Sequence, residues 1–132
     1  MSVRACRRII VAAAAVLMIA ACATGQPVHN VTQTSIVTNK PNTTTEDVRQ
    51  AIVRAGTGLG WQMKAEGPGR MTGRLALRTH VAVVDITYDS KSYSIRYKDS
   101  ANLDYNGSTI HRNYNSWVQN LDRAIQAQLT AI

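Results

Sequence analysis

Cys22 stands directly after Ile19-Ala20-Ala21, and Arg4, Arg7 and Arg8 precede the apolar run from Ile9 to Ala20. A thiol in that setting suits acylation. A cationic start and a hydrophobic stretch deliver the chain to a membrane, and small residues mark a cut site. Two or three acyl chains on one cysteine then hold a soluble domain firmly, whereas a single chain binds marginally at about 0.8 kcal/mol per buried CH₂. The rival reading is an ordinary secretory signal cut after Ala21 or Ala23, with Cys22 incidental. A membrane-spanning helix needs about 20 apolar residues, and this run meets Thr24, Gly25, Gln26 and Pro27 too early.

The second constellation is basic. Arg74, Arg78, Arg96 and Lys98 fall on alternate positions of two apolar-alternating segments, and such a cluster can fork onto carboxylates or phosphates. Its plain alternative is the solvated face of a sheet, with Glu66 and Asp85 interleaved to balance charge. A third group, Ile110-His111-Arg112-Asn113-Tyr114-Asn115-Ser116-Trp117, gathers His, Tyr, Asn and Trp at a helix start, where an anion can bind. Tyr114 and Trp117 lie on that helix's apolar stripe, however, which favours packing.

The segment Ile19-Ala20-Ala21-Cys22 resembles the lipobox of bacterial lipoproteins. The resemblance implies diacylation of the Cys22 thiol, cleavage before it by a dedicated signal peptidase, and a freed amine that can take a third chain. The second mature residue is Ala23 and not the Asp that usually retains Gram-negative lipoproteins at the inner membrane. The implied address is therefore the periplasmic face of the outer membrane, with the chain held there through lipid on Cys22. Tyr93-Ser94-Ile95-Arg96-Tyr97 and the run from Ile110 to Trp117 add a looser resemblance to small proteobacterial lipoproteins of unassigned activity.

Cleavage changes the composition that matters. Three of the fifteen Lys and Arg residues and none of the eight Asp and Glu precede Cys22, so the formal charge falls from +7 to +4. An exported, mildly basic chain meets no nucleic acid; an envelope protein or an anionic envelope polymer is the available partner. Cys6 leaves with the signal and Cys22 becomes the anchor, so no disulfide or thiolate metal site is expected. His29, His80 and His111 lack ligand spacing, and neither metal nor cofactor is expected. No G-x-S-x-G elbow or H-E-x-x-H motif is present, and Gly56-Thr57-Gly58-Leu59-Gly60 lacks both nucleotide-loop spacings.

The elements that must position these residues follow from periodicity. Residues 1–21 read as the cleaved signal, residues 22–42 as a lipidated start and a flexible tether reaching about 25 Å, and residues 43–132 as one domain. Val31 to Thr38 has enough β-branched alternation to pair as an added edge strand, the less favoured reading of that stretch. Thr43-x-x-Glu46 reads as a capping box before the stripe Val48, Ala51, Ile52 and Ala55, with Gly56 as the stop. Period-two alternation then gives four strands, burying Trp61, Met63 and Ala65; Met71, Gly73, Leu75 and Leu77; Ala82, Val84, Ile86 and Tyr88; and Tyr93, Ile95 and Tyr97. A closing helix from Thr109 to Thr130 carries the stripe Ile110, Tyr114, Trp117, Val118, Leu121, Ile125 and Leu129. The expected fold is a two-layer α+β domain, a four-stranded antiparallel sheet covered on one face by two helices.

The expected function is a binding or scaffold module that uses an exposed sheet face or edge to hold an envelope protein or polymer, not an enzyme. The alternative is a periplasmic hydrolase, or an accessory or inhibitor of a cell-envelope enzyme.

Overall fold

The computed structural model describes residues 25–132; the expected signal over residues 1–21 and the expected lipidation site Cys22 lie outside the described residues. The fold is α+β and its strands pair antiparallel throughout. In chain order it runs β1 (Gly25–Pro27), β2 (Val31–Ser35), α1 (Thr45–Gly58), β3 (Gln62–Gly67), β4 (Arg70–Leu77), β5 (His80–Tyr88), β6 (Ser92–Ala101), β7 (Thr109–His111) and α2 (Arg112–Thr130).

Helix α1 starts one residue later than its threonine run suggested. The Thr44 hydroxyl accepts from the Asp47 N–H at 3.1 Å, and the Asp47 carboxylate accepts from the Thr44 N–H at 2.9 Å. Thr43 is not free for that role, because its hydroxyl lies 2.6 Å from that of Thr38 and donates to the Lys40 carbonyl. Helix α2 starts at Arg112 rather than Thr109, since Thr109–His111 pair as β7 with β1.

The main sheet has five strands in the order β2-β6-β5-β4-β3, and β1 and β7 form a separate two-stranded sheet. The expected count of four is corrected at the start of the chain: from Gly25 onward the segment read as a tether belongs to the fold. Little of it is apolar, so its strands are fixed by partners distant in sequence. Val31 pairs with Ile95 and Thr34 with Tyr93, and the Gln33 N–H donates to the Ser94 hydroxyl at 2.8 Å. That bond accounts for the burial of Ser94 on a side expected to be solvated. Further along, the Ile36 N–H reaches the Lys91 carbonyl and the Asn39 N–H the Ile132 carbonyl, each at 2.8 Å.

One core unites the layers. Val48, Ala51, Ile52 and Ala55 of α1 and Tyr114, Val118, Leu121, Ile125 and Leu129 of α2 bury against Met71, Leu75, Ala82, Val84, Ile86, Tyr93 and Ile95 of the strands. Gly73 makes room for the Trp61 indole, since a Cβ there would sit 3.3 Å from the ring and 3.1 Å from Val84. The inward alternation holds at those positions and fails at the sheet margins, where Ala65 and Leu77 are exposed. β3 is a margin strand, carrying Lys64 and Glu66 outward and an irregularity between Ala65 and Gly67.

Candidate binding face

The open side of the sheet is built by residues whose neighbours alternate into the core. Across it run two rows: Gln62, Arg74, Val83 and Asp99, then Lys64, Thr72, Asp85 and Arg96. Three of the four cations expected on this face are there. Arg74, Arg96 and Lys98 are exposed, and the Lys98 ammonium lies 3.4 Å from the Thr72 hydroxyl, reaching across β5.

Arg78 is not with them. It occupies the two-residue turn between β4 and β5, closed by the Leu77–His80 pair, with φ at 56°. A left-handed φ costs a non-glycine residue about 1 kcal/mol, and nothing in the sequence marked this position for it. Strand β4 therefore ends one residue before the alternation suggested.

A bulge in β6 completes the face. Val84 pairs with Tyr97 and Val83 with Asp99, so Lys98 is an extra residue. Past it the parity inverts: Asp99 turns outward beside Lys98, and Ser100 turns inward to lie 2.8 Å from the Tyr97 hydroxyl.

The charge balance on this face is uneven. Arg70 takes Asp85 with two bonds, Nη2 to Oδ2 at 3.1 Å and Nε to Oδ1 at 3.4 Å. Lys64 lies 3.8 Å from Glu66. The Asp99 carboxylate accepts from the Ser100 N–H. Among the described residues no carboxylate lies within ion-pair distance of Arg74, Arg96 or Lys98. Arg96 stands directly opposite Asp85 in the ladder, yet that acid is turned to Arg70.

Beside the bulge an open groove of about 660 Å³ runs between β6 and the loop that follows, with Lys98 and Asp99 on one side and Asp104 and Tyr105 on the other. The loop is held from several directions. Leu103 is buried and accepts from the His111 N–H, the Asn102 amide donates to the Thr79 carbonyl, and Asn106 accepts from the Ser108 and Thr109 N–H groups. Asn102 and Asp104 sit at φ of 55° and 53°. Tyr105, 41% exposed, stacks on Tyr97 with ring centroids 4.1 Å apart, and Tyr97 meets Tyr114 edge-on at 5.6 Å. Burial pushes the Tyr97 and Tyr114 hydroxyls above their ordinary range, so both stay protonated. Sequence reasoning missed Tyr105.

The run from Ile110 to Trp117 is mainly structural. Tyr114 and Asn115 are buried, and His111 caps α2, its Nδ1 accepting from the Asn113 N–H at 3.1 Å. Among the described residues no three His, Asp or Glu side chains converge as metal ligands, and no helix is long and apolar enough to cross a membrane. No family model, curated protein or solved structure matches this chain.

Proposed function

We propose that this chain is a lipoprotein anchored through Cys22 at the periplasmic face of the outer membrane, and that its domain is a binding module for an anionic envelope partner. The observation that carries the binding reading is the set Arg74, Arg96 and Lys98, exposed on one sheet face without a carboxylate partner among the described residues. Cations left unpaired beside a bidentate Arg70–Asp85 couple are available to an acidic protein surface or polymer at no cost of breaking an internal pair. The anchor reading rests on the arrangement of Arg4 to Arg8, the apolar run and Ile19-Ala20-Ala21-Cys22.

Crosslinking and pull-down from intact cells, with mass spectrometry of captured protein and glycan, tests both parts. Changing Arg74, Arg96 and Lys98 together to Ala removes capture while leaving the folded-state circular dichroism unchanged; undiminished capture by a folded triple variant rules out this face. Arg78→Ala leaves capture by the face intact. Cys22→Ser releases the domain from the membrane fraction, and a variant that stays membrane-bound contradicts the anchor.

A further inference from the structure

Gly25 is already inside the fold. It pairs with His111, and just behind it the Asn115 side chain accepts from the His29 N–H and donates to the Pro27 carbonyl, both at 2.9 Å. Between Cys22 and Gly25 stand Ala23 and Thr24. A fully extended chain covers at most about 3.5 Å per residue, so the two positions are within about 10 Å of each other. An acylated Cys22 therefore leaves no standoff: the end of the domain bearing Gly25 is held against the bilayer surface. This step rests on the anchor reading above.

That end has its own composition. His111, opposite Gly25, has its ring 6.3 Å from that of His80, which in turn is 6.4 Å from the Trp117 indole. His80 closes the turn with Leu77, and Leu77, Trp117 and Leu59 line one shallow, mostly apolar cleft with Trp61, Leu75 and the polar Asn120. Leu59 and Leu77 are 43% and 45% exposed, and Trp117 is half-buried. Arg78 at the turn and Arg112 at the start of α2 are exposed, and among the described residues neither is in an ion pair.

We infer that this end is a lipid-docking surface seated on the phospholipid headgroups of the membrane that holds Cys22. The length of chain before Gly25 selects that occupant, because no other surface can be so near. The chemistry agrees with it. An indole sits well at headgroup depth, the two leucines reach the acyl boundary, and arginine forks onto lipid phosphate. The basic sheet face then stands at a fixed angle to the bilayer.

The test uses the full, lipidated chain in vesicles of phosphatidylethanolamine and phosphatidylglycerol, with and without bromine on the acyl chains. The chain has two tryptophans, and Trp61→Phe leaves Trp117 as the reporter. Brominated lipid quenches Trp117 and the membrane shifts its emission to the blue. Adding Leu59→Asp and Leu77→Asp abolishes both changes while the protein still floats with the vesicles. If Trp61→Phe fails to fold, the difference between the wild-type chain and Trp117→Phe supplies the same reading. Floating protein whose Trp117 is unquenched overturns the docking surface and leaves the anchor standing. Protein that does not float overturns the anchor, and the docking surface with it.

Discussion

Asn115 of α2 donates its side-chain amide to the Pro27 carbonyl at 2.9 Å, joining residues 88 positions apart. The same side chain accepts from the His29 N–H at 2.9 Å, and it is 7% exposed. One buried amide thus fastens both the end of β1 and the turn into β2. Asn115→Ala leaves those backbone groups unpaired at a cost of about 2 kcal/mol. Urea denaturation reads that loss, and hydrogen exchange at His29 rises ahead of global unfolding. A variant as stable as the wild type, with His29 still protected, would show that β1 holds without the clamp.

Two buried tyrosines make opposite predictions. The Tyr93 hydroxyl donates to Asp122, a charge-assisted bond, and burial beside that carboxylate drives its titration upward. Tyr93→Phe costs about 2 kcal/mol. The Tyr114 hydroxyl is buried with no partner among the described residues. Tyr114→Phe removes a desolvated polar group without breaking a bond, so it is neutral or stabilising by up to about 1 kcal/mol. Thermal melts of the pair check the order; equal losses in both would mean that Tyr114 is not an orphan.

Acid weakens the first turn of α1. The Lys40 ammonium, with the Thr44 N–H and hydroxyl, lowers the Asp47 carboxyl from 3.8 to about 2, and Arg49 with Gln50 lowers Glu46 from 4.5 to about 2. Both values are depressed by folding, so their contribution is complete above about pH 4.5 and is lost as pH falls through about 2. Glu46 is exposed and Asp47 partly so, and added salt weakens the effect. Melting temperature therefore falls across that window, and falls less in the double variant Glu46→Gln with Asp47→Asn. The same pH slope in both proteins would assign the acid response elsewhere.

Sequence periodicity carried the middle of the fold. Ala82, Val84, Ile86, Tyr93 and Ile95 alternate cleanly because each inward side chain must be apolar, and the structure buries them all. At the start of the chain Gly25–Pro27 lacked that imprint, and Val31–Ser35 carried it weakly, as the less favoured edge-strand reading that the structure bears out. Gly25–Pro27 and Val31–Ser35 have few inward positions and owe their form to His111, Ile95 and Asn115, which no local window contains. The candidate face was legible at Arg74, Arg96 and Lys98. Arg78 was misplaced because its turn lacks the usual Gly or Asn, and Tyr105 was missed because loop packing leaves no periodic trace.

Under the proposed lipid anchor, the two margins of the sheet bear on life in a crowded layer. Molecules confined to a surface meet one another far more often than the same number in solution, and an open strand edge invites them to pair into ribbons. Here β3 sets Lys64 and Glu66 along its length and breaks its ladder before Gly67, while β2 is short and kinked where Gln33 turns to φ 46°. Neither rim offers a straight run of free amides to a copy of the chain. Under the anchoring proposed above, the fold is suited to stand densely packed without pairing edge to edge with its neighbours.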